Sequence, residues 1–262
     1  MPRFEVFCPS VPPSLPEDVV LRVDAEHWLA ALKAGLTKVG LPALPQVLCD
    51  VQADGSIHVG HPAGGGVFRI RELGAEPARP VRAASGVAAP APLATARSAP
   101  AAEEVLAELF ERSAEAAALD RDAALAFILD LAMEKVDAEA GSVFRLRGNG
   151  RELELAVARG PRAAELVALR AAVPVGMGIV GFCARENVCV AVSDAEKDPR
   201  FHRAISEALG YPTHSLLCAP IARKGQVLGA IEVLNRRAGA PFGQAQLAVV
   251  SYLAHRAAEH LA

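Results

Sequence analysis

The first 73 residues alternate between apolar and polar positions in several short runs. Five runs have the two-residue period of a strand: residues 3–8, 19–23, 47–52, 56–61 and 67–73. The turn Ala53-Asp54-Gly55 separates the third and fourth runs, and Gly64-Gly65-Gly66 separates the fourth and fifth. Glycine turns between alternating runs are strong hairpin signals, so we predict a β-meander.

One helix is predicted between the second and third runs. Its apolar residues recur every three or four positions: Trp28, Leu29, Leu32, Leu36 and Val39. We expect Asp24 to cap its amino end and Gly40 to end it. Residues 1–73 therefore predict a small α+β interaction domain, a β-meander with one helix packed across it. A unit of this size gains stability from a partner surface.

Residues 103–262 begin and end with helical patterns. Two helices open this part, the second capped by Asp120, and a last helix starts near Gln244. Between them lie five strand-like runs, at residues 142–146, 153–159, 188–192, 216–222 and 227–235. Helices at both ends with hairpins in the middle predict an α+β fold, in which helices flank an antiparallel sheet.

Residues 74–102 differ in composition from both flanking parts. They hold five prolines and twelve alanines but only four charged residues, and no apolar side chain larger than leucine. Such a stretch buries too little surface to offset the entropy lost on ordering it. We predict an Ala/Pro-rich flexible linker, across which the two flanking parts move independently.

Composition and charge exclude several classes of protein. The 262 residues are 52% hydrophobic and 22% charged, which is typical of a globular protein. A net charge of −3 excludes the basic excess of a nucleic-acid-binding protein. Residues 1–13 lack the apolar core of a signal peptide, and no uncharged stretch reaches the roughly 20 residues of a membrane span. We therefore expect a cytoplasmic protein without membrane insertion.

Five short blocks in the C-terminal part occur in a characteristic order. They are AGSV at 140–143, VGMGIVG at 175–181, VSD at 192–194, SLLCAPI at 215–221 and VLGAIEVLN at 227–235. Together they resemble the GAF domain, a small-molecule-sensing relative of PAS domains, over roughly residues 104–262. The resemblance implies a six-stranded antiparallel sheet with helices behind it and a lid over its other face, here at about residues 193–214. It also implies a homodimer formed through the first and last helices.

In ligand-binding members of this family, the small molecule lies between the sheet and the lid. The predicted ligand-binding residues lie in or beside the lid or on the strand below it: Asp194, Phe201, His202, Thr213, His214, Ser215 and Glu232. Glu232 stands out because it interrupts an apolar strand on the face that also carries Ala230 and Leu234. Its carboxylate must face water, a pocket or a partner, and an exposed sheet face is the alternative to a binding role.

The glycines of the second block fit another pattern. Gly176, Gly178 and Gly181 have the G-x-G-x-x-G spacing of dinucleotide-binding folds. That fold needs a longer βαβ unit, whereas this block follows Pro174 and leaves room for only about ten helical residues. We therefore expect these glycines to allow close packing and a turn into a short helix.

Three cysteines, Cys183, Cys189 and Cys218, raise the alternative of a thiol-based redox enzyme. The resemblance to free methionine sulfoxide reductases is incomplete, because those enzymes place a cysteine where this chain has Val180. We expect buried cysteines that act as small hydrophobic residues. No paired Cys/His spacing predicts zinc, and His58 and His61 have no third ligand nearby in the sequence, so no metal site is predicted.

A second partial match concerns cyclic nucleotides. Asn235-Arg236-Arg237 with Phe242 partly resembles the signature of cyclic-nucleotide-binding GAF domains. Arg236 replaces its lysine, and Gln244 and Gln246 stand where acidic residues are sought. The Lys–Asp pair of those domains cannot form here, which makes cyclic nucleotide binding the less favoured interpretation.

The sequence therefore predicts a non-catalytic sensory or regulatory protein. A small molecule or a partner would bind under the lid, and the N-terminal unit would bind a protein partner. With no segment after Ala262, we expect signals to leave through the terminal helices, the N-terminal unit or a partner. A ligand-free scaffold for protein–protein interaction is the alternative, and no cofactor is identified.

Overall fold

A computed structural model describes residues 1–52, 54–61, 66–74, 102–170, 172–237 and 239–261. The predicted linker lies outside the described residues except for its two ends. The named strands form one sheet of eleven strands, in the order β2-β1-β5-β4-β3-β9-β10-β11-β6-β7-β8. The division into two domains and a linker stays a prediction.

The N-terminal unit supplies five antiparallel strands. They are β1 (Arg3–Cys8), β2 (Val19–Asp24), β3 (Gln46–Val51), β4 (Ile57–Gly60) and β5 (Val67–Leu73). Strands β3, β4 and β5 form the predicted meander. The hairpin of β1 and β2 joins this meander because β1 pairs with β5.

One helix, α1 (Trp28–Lys38), packs across these strands. The predicted cap was wrong, because His27 rather than Asp24 precedes the first turn. His27 Nδ1 accepts a hydrogen bond from the Ala30 N–H at 3.3 Å, whereas Asp24 pairs with Arg3 at 2.8 Å in the neighbouring strand.

The C-terminal part supplies the other six strands, and each neighbouring pair among them is antiparallel. They are β6 (Ala138–Leu146), β7 (Glu152–Arg159), β8 (Ala172–Pro174), β9 (Cys189–Val192), β10 (Leu216–Arg223) and β11 (Gln226–Arg236). Their order in the sheet is β9-β10-β11-β6-β7-β8, so the last strand in chain order, β11, lies between β10 and β6. The predicted α+β fold with an antiparallel sheet is confirmed.

Helices cover both faces of this half of the sheet. They are α2 (Ala102–Ala114), α3 (Arg121–Val136), α4 (Ala163–Ala168), α5 (Gly178–Glu186), α6 (Arg203–Leu209) and α7 (Gln244–Leu261). Helices α3 and α7 bury one face, with the alternate residues Leu217, Ile231 and Val233 beneath them. Asp120 caps α3 as predicted, since its Oδ1 accepts the Ala123 N–H at 2.9 Å.

The two halves of the sheet meet where β3 lies parallel to β9. The register runs from Gln46 opposite Cys189 to Cys49 opposite Val192, and the Cys189 N–H donates to the Pro45 carbonyl at 3.2 Å. One apolar core continues across this junction from α1 to α5. The sequence predicted that the two parts move independently, whereas in this structure they share both hydrogen bonds and a core.

Helices α1 and α5 lie side by side on the same face of the sheet. The Trp28 and Phe182 rings stack with their centroids 6.1 Å apart. At the far end of α5, a Glu186 oxygen lies 3.0 Å from Lys33 Nζ and the other lies 3.0 Å from His27 Nε2. An aromatic stack and a charged cluster thus hold the N-terminal unit against the C-terminal part.

The glycine block before α5 has the packing role expected for it. Gly176 and Gly178 have φ of +94° and +66°, conformations that glycine adopts without strain. A Cβ atom on Gly181 would lie 2.5 Å from the Pro174 carbonyl oxygen. Helix α5 has only nine residues and joins antiparallel strands, so the block does not form a dinucleotide-binding βαβ unit.

Gly181→Ala tests this close contact. The added methyl group must displace the Pro174 carbonyl, which we expect to lower the free energy of unfolding by about 1–3 kcal/mol. Gly148→Ala is the matched control, because nothing lies within 4 Å of the position that its methyl group would take. Urea unfolding followed by circular dichroism measures both variants. Equal stability of the two variants would contradict the packing role.

Candidate functional site

A cavity of about 110 Å³ lies between the sheet and the lid. The lid follows β9 and contains a 3-10 turn, Ala195–Lys197, and α6. Most of the wall is apolar, with Phe144, Leu216 and Leu234 from the sheet, Ile179 from α5 and Phe201 from the lid. The cavity therefore lies where the sequence predicted a ligand.

Six polar side chains line this apolar wall: Ser142, His202, Ser206, Tyr211, Thr213 and Glu232. Two of them are already held by the fold. The Tyr211 hydroxyl donates to Glu139 Oε2 at 3.0 Å, and the Ser206 hydroxyl donates to the Tyr211 carbonyl at 2.6 Å. Burial, with the adjacent Glu139 carboxylate, raises the pKa of Tyr211 to about 12, so the phenol keeps its proton at neutral pH.

Glu232 is the carboxylate of the cavity wall. It lies in the middle of β11, opposite Ser142 on β6 and Cys218 on β10. Its side chain is half-buried, and burial raises its pKa to about 7. Among the described residues, no hydrogen bond or ion pair of this carboxylate is found, and no lysine or arginine lines the cavity. Glu232 is thus a half-buried acid without a hydrogen-bond or ion-pair partner among the described residues.

Four of the predicted ligand-binding residues line the cavity, namely Phe201, His202, Thr213 and Glu232. Three lie elsewhere: Asp194 pairs with Lys197 at 2.8 Å on the outside of the lid, His214 is exposed, and the Ser215 hydroxyl accepts the Arg236 N–H at 3.3 Å. The ligand-binding role of all seven residues stays a prediction.

Three polar wall residues were not predicted. The sequence could have indicated Ser142. Pairing β6 with β11 places Ser142 directly opposite Glu232, and residues that lie opposite each other share one face of the sheet. Tyr211 and Ser206 carried no such signal. They reach the cavity only because α6 and the loop after it fold back over the sheet.

The carboxyl end of the lid is fastened by Asn235. Its Oδ1 accepts the His214 N–H at 2.8 Å, and its Nδ2 donates to the Pro212 carbonyl at 2.9 Å.

Two glutamines stand where the cyclic-nucleotide-binding signature has acidic residues, and both form hydrogen bonds within the fold. Gln246 accepts the Gly243 N–H at 3.0 Å at the start of α7, and Gln244 lies 3.3 Å from Gln46 of β3.

The other side of the lid contacts the N-terminal unit. The Arg200 guanidinium lies 5.0 Å from the Trp28 ring and 4.6 Å from the Phe182 ring. It pairs with the buried Asp198 and contacts Cys49 Sγ at 3.4 Å. Burial opposes its charge, but Asp198 and Cys49 raise the pKa of Arg200 above its ordinary value. The lid therefore touches the cavity on one side and α1 and β3 on the other.

All five cysteines are free and buried. Burial raises the pKa of Cys8 and Cys49, and it raises the pKa of Cys189 to about 12. Burial and the neighbouring Cys183 thiol raise the pKa of Cys218 well above its ordinary value. These four thiols keep their protons at neutral pH, and a protonated buried thiol is a poor nucleophile.

Within the described residues, no group of three or more His, Cys, Asp or Glu side chains is arranged to hold a metal ion. None of the helices in the described part of the chain has the length and apolar character needed to cross a bilayer.

Comparison with known proteins identifies the C-terminal part. The sequence model of the GAF domain matches residues 120–261. The dual 3',5'-cyclic-AMP and -GMP phosphodiesterase 11A of Takifugu rubripes is 40% identical over 65 residues, which is 24% of this chain and 7% of that protein. The cGMP-specific 3',5'-cyclic phosphodiesterase of Drosophila melanogaster is 34% identical over 68 residues, 26% of this chain and 6% of that protein. The shared stretch is thus a small part of either relative.

Solved structures with the same fold cover more than half of this chain. The GAF domain of a phosphoenolpyruvate-protein phosphotransferase from Coxiella burnetii has a TM-score of 0.54 at 21% identity, over 62% of this chain and 94% of that one. The free methionine-R-sulfoxide reductase from Neisseria meningitidis has a TM-score of 0.51 at 20% identity, over 64% and 95%. At these identities the likeness concerns the fold.

Glu232→Gln tests whether the Glu232 carboxylate lacks a partner in the folded protein. Because the folded-state pKa is raised from about 4.5 to about 7, the native carboxylate costs stability as pH rises through this range, and the full cost is present above pH 7. Since water partly solvates the group, we expect the substitution to stabilise the protein by about 1–2 kcal/mol at pH 8 and hardly at pH 4.5.

The control for this prediction is Glu207→Gln, which removes an exposed carboxylate from α6. Urea unfolding at both pH values measures the difference between the two variants. The same effect of Glu232→Gln at pH 4.5 and pH 8 would show that its carboxylate titrates normally.

Proposed function

This chain belongs to the GAF domain family, and on that premise we propose that it is a non-catalytic sensory or regulatory protein that binds a small molecule under its lid. The observation that carries the proposal is the cavity between sheet and lid, with apolar walls and an unpartnered carboxylate. Apolar walls with a few convergent polar groups are typical of ligand sites.

The chemistry of the described residues supports a non-catalytic role. A thiol-based enzyme needs an accessible cysteine with a lowered pKa, whereas Cys189 and Cys218 are buried and their pKa values are raised. The phosphodiesterases share only a short stretch with this chain, so we do not transfer their activity. The proposed function requires neither a disulfide nor a metal ion.

The size of the cavity bears on the kind of ligand. Pockets that enclose drug-sized molecules hold about 300–1,000 Å³, whereas this one holds about 110 Å³. A cyclic nucleotide would require the lid to move outward. The glutamines at 244 and 246, which serve the fold, also support a ligand other than a cyclic nucleotide.

We propose two routes by which a change in the position of the lid is transmitted beyond the GAF domain. The first is the contact of Arg200 with Trp28 and Phe182, which links the lid to the N-terminal unit. The second is a homodimer formed through α2 and α7. The exposed Phe110 of α2, whose ring lies 4.9 Å from the Tyr252 ring of α7, supports an apolar pairing surface there. Ligand binding would favour one lid state and so shift both contacts.

Native mass spectrometry of the full chain purified from its host tests the ligand. We expect a small molecule that remains with the folded protein and is released on denaturation. Its repeated absence from a stable, folded dimer would contradict the proposal and favour the ligand-free scaffold.

Arg200→Gln tests the first route. The substitution removes a cation from the face of Trp28, the chain's single tryptophan. It also leaves the buried Asp198 without its cationic partner, although the backbone N–H of residue 200 still donates to Asp198 Oδ1. We expect a shift in tryptophan emission and a loss of about 3 kcal/mol in the free energy of unfolding.

The matched control is Arg203→Gln, whose guanidinium donates to the Glu196 carbonyl within the lid. It removes the same charge from the same segment without touching Trp28. Tryptophan emission of Arg200→Gln that equals that of the control would contradict the coupling between the lid and the N-terminal unit.

A further inference from the structure

Glu232 is the one carboxylate among the eighteen residues that line the cavity. The other ionisable side chains of this wall are His202 and Tyr211, and the wall has neither lysine nor arginine. The residues opposite Glu232 on the two neighbouring strands are Ser142 and Cys218, a hydroxyl and a thiol without charge. A carboxylate in such surroundings has lost part of its hydration and has gained no cation in return.

A ligand can supply the missing partner. An ionised acid that is half-buried in an apolar wall attracts a cation more strongly than it would in water, because the surrounding medium screens less. A charged nitrogen donor offers both an opposite charge and N–H groups to the carboxylate oxygens. An anionic ligand would instead add a second negative charge to a cavity whose lining residues include neither lysine nor arginine.

We propose that the cavity takes a small apolar molecule bearing a cationic nitrogen, such as an alkylammonium or amidinium group, and that this nitrogen binds Glu232. The proposal rests on the proposed function and specifies its ligand class. The apolar part of the molecule would contact Phe144, Leu216 and Leu234, while Thr213 and Ser142 lie within the same wall.

The cavity volume limits the apolar part to a few carbon atoms. An apolar cavity of about 150 Å³ holds benzene in another protein, and this cavity is somewhat smaller, at about 110 Å³. A four-carbon chain with one nitrogen is therefore a suitable probe without any movement of the lid.

One feature of the wall favours the opposite charge. Helix α5 begins at Gly178 beside the cavity, and the N–H groups of a first helical turn attract anions. Probes of one size and different charge separate the two influences. We choose n-butylammonium, n-butanol and butyrate.

Isothermal titration calorimetry of the full chain at pH 8 compares the three probes. At this pH both Glu232 and the amine are ionised. We expect n-butylammonium to bind at least about tenfold more tightly than butyrate, which corresponds to about 1.4 kcal/mol. Glu232→Gln should abolish this preference while n-butanol binding persists, and Glu207→Gln should leave the preference unchanged.

Each outcome has one meaning. If butyrate binds as tightly as n-butylammonium, or if Glu232→Gln leaves the preference intact, the ligand class is wrong while the proposed ligand site stands. If none of the three probes binds, the cavity is closed to ligands of this size, and both this inference and the small-molecule site of the proposed function are overturned.

Discussion

The parallel pairing of β3 with β9 is the contact on which the rest of the structure depends. Without it, β9 would be an edge strand with a row of unpaired N–H and C=O groups, although all four of its residues are buried. The pairing also places α1 beside α5, so that Trp28 and Phe182 stack in one continuous core. The N-terminal unit of about 70 residues, whose own apolar side chains form one part of this core, thereby gains a partner surface.

Because of this arrangement, the lid contacts the cavity on one side and the N-terminal unit on the other. It leaves the sheet at the end of β9, next to the junction, and Asn235 fastens its return. Between these points Arg200 reaches the N-terminal unit, while Phe201 and His202, the next residues, reach the cavity. A change in cavity occupancy that displaces these residues must also act on Arg200, because adjacent residues share the backbone between them.

The cavity combines features that a packed core avoids. A core made for stability alone would have a leucine or valine at position 232, because a carboxylate there loses hydration without gaining a partner. Position 232 instead carries an acid whose pKa is raised, in a wall with no lysine or arginine. Proteins keep such destabilising groups at sites of function, where a ligand or partner offsets their cost.

Local patterns in the sequence determined every strand except the three-residue β8, most of the helices and the family of the C-terminal part, because alternation, helical spacing and glycine turns act between near neighbours. They also placed Glu232 on the same face of its strand as Ala230 and Leu234, and they gave the glycines of residues 176–181 a packing role. The sequence did not show that β3 pairs with β9, that His27 caps α1, or that Tyr211 and Ser206 enter the cavity. Those contacts join residues far apart in the chain or depend on backbone geometry, so only the tertiary structure decided them.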